Sequence, residues 1–302
     1  MIRVATIPLQ RTLSGAIQQA QQRLAATQLQ LTSGKKANDL AALGTEAGRT
    51  LSARTLRSTQ EAQSSSARAL GTTLSLYDAN ITTIDESSAT LRQKIMTAIG
   101  TGQTQGLQGS IAGAFDQFRA ALNAGDGSGP LFAGAQTDKI PFKPQTLADT
   151  VGATAATAFT NDGVRATARL SDGVDVTYGV GASELGTGML AAFRTLAEAG
   201  TIGETPTAAQ LDALKTAMGQ IDAALPTVRA LNAENGRKQA ETESLGTRAD
   251  ERANLLSELI STNEDADYGQ IASDLSQQQT VLRASYSVFT QLSSLSLTQY
   301  LK

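Results

Sequence analysis

Cysteine, histidine and tryptophan are all missing from this 302-residue chain, and each absence removes chemistry. Without thiols or imidazoles there is no cysteine nucleophile, no histidine acid–base catalyst and no Cys/His zinc site. A serine triad would lack its usual base. Carboxylate-only catalysis and oxygen-ligand metals survive this filter. Aromatic residues are only 4% of the chain. Large aromatics normally supply much of a compact core's buried area, so such a composition predicts burial of Leu and Ala along extended helix–helix seams. The 25 Lys and Arg against 28 Asp and Glu give a net charge of −3, without a clustered basic face. No nucleic-acid partner is therefore expected. No run approaches the roughly 18 consecutive apolar residues that span a bilayer, so no membrane insertion is expected. Met1–Gln10 also lacks the continuous apolar stretch of a cleaved signal peptide. Zero cysteines suits a reducing cytosol or an export route that builds no disulfides, and composition does not choose between them.

What the chain does have is helical periodicity. Leu13, Ile17, Ala20, Leu24, Thr27 and Leu31 step by four and three, and Ser33-Gly34 stops the pattern with a glycine suited to a left-handed C-terminal cap. Residues 35–50 read as a loop with room for a short helix. Leu70, Leu74, Tyr77, Ile81, Ile84, Ser88, Leu91, Ile95 and Ala98 then keep an unbroken heptad over roughly 40 Å of helix, and upstream residues extend it. A repeat that strict predicts packing against partner helices as in a coiled coil. A third helix carries Leu107, Ile111, Phe115, Phe118 and Leu122 and ends in the turn-forming Gly125–Pro130 run.

The period switches to two in the middle. Val164, Ala166, Ala168 and Leu170 alternate with polar residues, as do Val174, Val176, Tyr178 and Val180, and Asp172-Gly173 joins the two runs. That pattern predicts a hairpin with a type I′ turn. Helical period resumes at Met189, Phe193 and Leu196 and is expected to continue through Leu211 to Leu231, with Pro226 kinking or restarting the helix. A further helix carries Leu245, Arg252, Leu256 and Leu259. The last helix has two seams: Tyr268, Ile271, Leu275, Gln278, Leu282, Ser285, Phe289, Leu292 and Ser296, and beside it Val281, Val288 and Leu295. A helix with two seams contacts more than one neighbour. Its pattern runs on to Leu301-Lys302.

The predicted fold is mainly α, with long antiparallel heptad helices from both termini and a small central β-containing domain. Residues 1–40 and 263–302 are expected to form an inner layer, 41–130 and 183–262 a helical rod domain, and 131–182 a small outer domain holding the hairpin.

This layout resembles the flagellin superfamily, and local residues carry the resemblance further. Gln28-Leu29-Gln30-Leu31-Thr32-Ser33-Gly34-Lys35-Lys36 is similar to the superfamily's Leu-Ser/Thr-Ser-Gly-Lys segment. Ala37-Asn38-Asp39-Leu40 departs from the Arg-Ile-Asn and Ser-Asp-Asp continuation usual there. Thr90–Ala98 resembles the conserved surface of that superfamily's second helix, with altered Arg and Glu positions. Leu131-Phe132-Ala133-Gly134-Ala135-Gln136-Thr137-Asp138-Lys139-Ile140-Pro141-Phe142 resembles the entry into the β domain of the hook–filament junction family (hook-associated protein 3). Leu292–Leu301 resembles that family's ending, and Glu264-Asp265-Ala266-Asp267-Tyr268 fits the segment before its last helix. The resemblance implies a structural component of the bacterial flagellum at the junction between hook and filament. It would leave the cell uncleaved through the flagellar type III pathway, with an export chaperone, and assemble through its terminal helices outside the cell. The implied partners are further copies of the chain, a hook-side junction protein and flagellin. The alternatives are a flagellin proper and, from another class, a cytosolic coiled-coil scaffold.

The interface residues expected from the seams are Leu13, Ile17, Leu24, Leu31, Ile271, Leu275, Val281, Leu282, Val288, Phe289, Leu292 and Leu295. No catalytic residue, cofactor or metal is expected. Glu264, Asp265 and Asp267 fail the calcium-loop pattern, because Gly269 and Ser276 stand where ligands belong, and read better as an acidic helix start. Gly125–Gly129 lacks the order of a phosphate loop. Glu241 and Glu243 read as a solvated face. The competing view of the seams is an intramolecular bundle that needs no polymer.

Overall fold

The computed structural model describes residues 3–37, 39 and 41–298, with side chains described between 11 and 291. Seven helices and one hairpin lie among them: α1 (Arg3–Ser33), α2 (Glu46–Thr101), α3 (Leu107–Leu122), α4 (Ala155–Ala158), β1 (Ala166–Ser171), β2 (Val174–Tyr178), α5 (Ala182–Glu198), α6 (Ala208–Glu264) and α7 (Tyr268–Thr298). The chain divides into two units. One holds both ends, up to Gln60 and from Glu251; the other is Glu61–Asp250. The helices α2 and α6 contribute residues to both.

In the Glu61–Asp250 unit every position of the α2 heptad, Leu70 to Ala98, is buried. The α6 helix supplies the antiparallel partner. Arg229 pairs with Asp85 at 2.8 Å, the Asn235 amide donates to the Leu74 carbonyl at 2.9 Å, Gln239 donates to Ser75 at 3.0 Å, and Arg68 donates to both Asp250 oxygens at 2.8 Å. Along α2 the numbers fall as those along α6 rise. Such exposed ion pairs contribute little each; the apolar seam between them, Ile81, Ile84 and Leu91 against Leu214, Ile221 and Val228, carries the packing.

Sequence reasoning placed the breaks on this side incorrectly. The period through Leu196 and Leu211 is interrupted at 199–207. Gly200 adopts φ +72°, and Pro206 precedes a capping box in which Thr207 and Gln210 exchange backbone-to-side-chain bonds at 3.0 and 3.2 Å. Conversely, the two helices expected over 211–259 are one, because α6 runs through Pro226. The proline removes one N–H, and the buried neighbours Ile221, Leu225 and Val228 outweigh that loss.

The core also departs from the Leu/Ala expectation. Six of the seven phenylalanines converge here. Phe118 sits edge-to-face on Phe142 at 5.3 Å and tilted on Phe193 at 5.2 Å, while Phe115, Phe132 and Phe159 surround them, all buried. A low average concealed a local concentration.

The central segment threads into this core. Burial pushes the Tyr77 hydroxyl up to about 12, and as a neutral phenol it donates to the Leu131 carbonyl. Phe132 packs edge-to-face on its ring at 5.1 Å. The Asn123 amide bonds both backbone groups of Phe142, at 3.0 and 2.9 Å. The hairpin pairs Ala166 with Tyr178 and Ala168 with Val176, and its inner face, Leu170 and Val176, packs on Ala67, Leu70 and Leu74. Val164 and Val180 lie outside its strands. The turn is not type I′: Gly173 alone takes positive φ, at +75°, and the register shifts between Arg169 and Ser171. The bulge supplies the twist that a second left-handed residue would have given.

Candidate assembly surface

Within the unit that holds the chain ends, α1 and α7 pack together. The Gln21 amide donates to the Tyr286 hydroxyl at 2.6 Å. The C-terminal end of α1 meets the start of α7 through Gly34 and Ala266, so the pair is antiparallel. Both helices are amphipathic by spacing alone, and neither covers the other fully. Of the twelve residues expected at an interface, Ile17 and Ile271 are buried. Leu13, Leu24, Leu275, Leu282 and Phe289 are half-buried. Leu31, Val281 and Val288 remain 40%, 51% and 45% exposed. The side chains of Leu292 and Leu295 lie outside the described residues.

That distribution separates the two seams of α7. The Ile271–Leu275–Leu282–Phe289 seam is the more covered one. Val281 and Val288, seven residues apart and therefore on one face, form a second stripe that α1 leaves open. Leu29, Tyr268 and Tyr286 add further exposed apolar area. Completing the burial of such half-exposed side chains is worth about 1 kcal/mol each.

The junction at the base of this pair is built from two segments the sequence displays separately. Gly34 ends α1 in the left-handed region, at φ +67°, and its N–H closes back on the Gln30 carbonyl at 2.8 Å. A side chain there would also strike the Tyr268 hydroxyl. The backbones then cross-link: Lys36 N–H donates to the Glu264 carbonyl at 2.6 Å, and Ala266 N–H to the Gly34 carbonyl at 2.9 Å. Lys35 pairs with Asp265 at 2.5 Å and with Glu264 at 3.6 Å. Arg54 reaches Glu264 at 2.7 Å. The Glu264 side chain is 7% exposed, so a buried carboxylate is held by two cations. Asp267 accepts from the Gly269 and Gln270 N–H groups and caps α7.

Glu264, Asp265 and Asp267 thus serve three different sets of partners. Among the described residues no group of three or more potential ligands is placed to hold a metal ion. Glu241 and Glu243 are exposed, and two residues apart on α6 they cannot face each other. Asp126 closes the Gly125–Pro130 turn by accepting from the Ser128 and Gly129 N–H groups. Both halves of the Lys35–Glu264 clasp stand in the motifs of the sequence, and the opposite charges of Lys35-Lys36 and Glu264-Asp265 are the signal that joins them. Arg54 carried no signal.

The clasp has a definite pH window. Lys35 and the Ser261 hydroxyl hold the Asp265 carboxyl below its ordinary 3.8, and the Asp265 hydrogen bond raises Lys35 above its ordinary 10.5. A depressed carboxyl stabilises fully above 3.8 and loses that contribution as pH falls through its lower folded value. A raised ammonium stabilises fully below 10.5 and loses its contribution as pH rises through its higher folded value. Amide-exchange protection at Lys36 and Ala266, corrected for intrinsic rates, is expected to stay flat between about pH 5 and 9. It should fall on acidification below the ordinary aspartate range and on alkalinisation above the ordinary lysine range. Loss of protection near neutrality would contradict the assignment.

No family model matches the chain, and no curated protein matches it. Solved structures do match it. A protein from Vibrio parahaemolyticus assigned as flagellar hook-associated is 16% identical, with a TM-score of 0.60 over 74% of this chain and 98% of its own. FlgL of Bacillus cereus is 14% identical, with a TM-score of 0.57 over 70% and 98%. FlgL of Xanthomonas campestris is 12% identical, with a TM-score of 0.54 over 71% and 99%. At such identities the likeness is one of fold.

Proposed function

We propose that this chain is a structural component of the bacterial flagellum that joins hook to filament. In this reading it is exported by the flagellar type III pathway with the help of a chaperone and assembles outside the cell through α1 and α7. One observation carries the reading: the Val281–Val288 stripe stays open although α1 already occupies the other seam of the same helix. An apolar stripe on a helix that already has its partner suits a second neighbour better than solvent. The likeness in fold to the hook-associated protein and the two FlgL structures supports the flagellar context. The partners are then further copies of the chain around the ring, a hook-side junction protein below and flagellin above. No helix among the described residues is long and apolar enough to cross a membrane. The role proposed is mechanical rather than catalytic, and it uses no cofactor.

Deleting the gene tests the proposal. Cells are expected to keep hooks but lose filaments, with unpolymerised flagellin in the medium. Loss of the filament subunit itself would mean that the chain is a flagellin. Normal filaments would reject both readings.

A further inference from the structure

Three Asp-Gly pairs lie in the Glu61–Asp250 unit: Asp126-Gly127, Asp162-Gly163 and Asp172-Gly173. An aspartic acid side chain condenses with the amide nitrogen of the next residue when three conditions hold. The carboxyl must be free to swing over its own main chain, it must carry a proton, and the following N–H must be unengaged. Glycine in second place removes the Cβ that would obstruct the approach. A bond then forms from that nitrogen to Cγ, and the carboxyl hydroxyl leaves with the amide proton as water. Water re-enters at either ring carbonyl. Opening on the side-chain side restores aspartate; opening on the main-chain side routes the chain through Cβ and leaves an isoaspartyl residue. Nothing but water is exchanged.

The fold sets the three pairs apart. Asp126 Oδ1 accepts from the Ser128 hydroxyl at 2.6 Å, from the Ser128 N–H at 2.9 Å and from the Gly129 N–H at 3.2 Å. Asp162 Oδ1 accepts from the Ala135 and Val164 N–H groups, each at 3.0 Å, and Oδ2 accepts from the Gln136 amide at 3.3 Å. These bonds fix both carboxyls in place. The bonds from Ser128 and from Ala135, foremost, hold them below the ordinary 3.8, so the proton that ring closure needs is scarce. The Asn235-Gly236 pair could form the same ring by losing ammonia. It is buried within α6, its amide donates to the Leu74 carbonyl at 2.9 Å, and the helix ladder occupies the Gly236 N–H.

Asp172 has none of these restraints. It and Gly173 are the two exposed turn residues between Ser171 and Val174, which pair with each other. The Asp172 carboxylate makes no hydrogen bond or ion pair with the described residues, and neither does the Gly173 N–H. Arg169 lies near enough to feel the Asp172 charge, but its guanidinium is already spent on Asp175, at 2.9 and 3.3 Å.

We propose that Asp172 is a site of spontaneous covalent modification, converting through a cyclic imide to isoaspartate at the hairpin tip, while Asp126, Asp162 and Asn235 are protected by the bonds that hold them. The conversion adds one main-chain atom inside the two-residue turn, so the Ser171–Val174 pairing that closes it has to yield. Leu170, which anchors the hairpin on Ala67, Leu70 and Leu74, precedes that pairing directly. The hairpin therefore loosens from its tip.

The test keeps the full-length chain for weeks in mildly acidic buffer. Its digest is then fragmented by electron transfer, which distinguishes an isoaspartyl backbone from an aspartyl one. Isoaspartate is expected at Asp172, with Asp126 and Asp162 slower by about tenfold or more, since each must first release its hydrogen bonds. In guanidinium chloride the three pairs should convert at similar rates, because the fold no longer separates them. Asp172→Glu should abolish the signal at that position, since closure there would need a six-membered ring. Equal rates at the three pairs in the folded chain would overturn the proposal. So would an unconverted Asp172 in folded protein whose denatured form converts readily. The converted chain, once separated, is expected to exchange the β1 and β2 amides faster; unchanged protection there would overturn the loosening.

Discussion

Val281→Asp combined with Val288→Asp is expected to abolish assembly while leaving the isolated chain as stable as its parent. Both valines are about half exposed, so the substituted carboxylates meet water rather than core. Exposed substitutions of this kind shift stability by about 0.5 kcal/mol or less. An assembled neighbour would instead bury two charges against its own apolar surface, at a cost of several kcal/mol at each contact. Repeated around a ring, that cost exceeds the gain from the rest of the stripe. Sedimentation of the purified variant against its parent measures assembly, and thermal unfolding measures stability. Leu282→Asp is a sterner version, because Leu282 is half-buried and a carboxylate there weakens the helix pair itself. Assembly of the double variant at parental concentration would show that the open stripe is not an interface.

The second large effect lies in the other unit. Phe118→Ala should cost about 3–5 kcal/mol of stability, because the ring is fully buried and contacts both Phe142 and Phe193. Five further phenylalanines are buried in the same cluster, so the loss reaches beyond one contact. Urea unfolding followed by near-ultraviolet dichroism is a suitable measure, as the chain has no tryptophan and the buried Tyr77, packed on Phe132, reports on this core. A loss below about 1 kcal/mol would mean that the Leu and Ala seams of α2 and α6 carry this unit alone.

The residues explain which parts of this structure could be read in advance. A heptad such as Leu70–Ala98 is a local, repeated signal, and every member of it is buried. The hairpin was equally legible from its alternation and Asp172-Gly173, although the turn type was not, because a bulge replaces the second left-handed residue. The break at 199–207 was hidden by a run of Leu and Met that keeps helical spacing on both sides. Only Gly200, Pro206 and the Thr207–Gln210 box marked it. The aromatic cluster was obscured by averaging over the whole chain. The clasp leaves only a faint mark, the opposite charges of Lys35-Lys36 and Glu264-Asp265: the segments are distant in sequence, and ion pairs carry no periodicity that would link them. The two seams of α7 were legible, and so was the excess of apolar surface they imply. Which neighbour would cover the second seam is not written in one chain.

That excess is best tested by placing a photo-reactive phenylalanine derivative at Val288 and irradiating intact flagellated cells. The account predicts covalent adducts between copies of this chain, because an open α7 stripe is completed by the next subunit. Recovery of the chain solely as unlinked monomer, from cells whose flagella are otherwise normal, would contradict it.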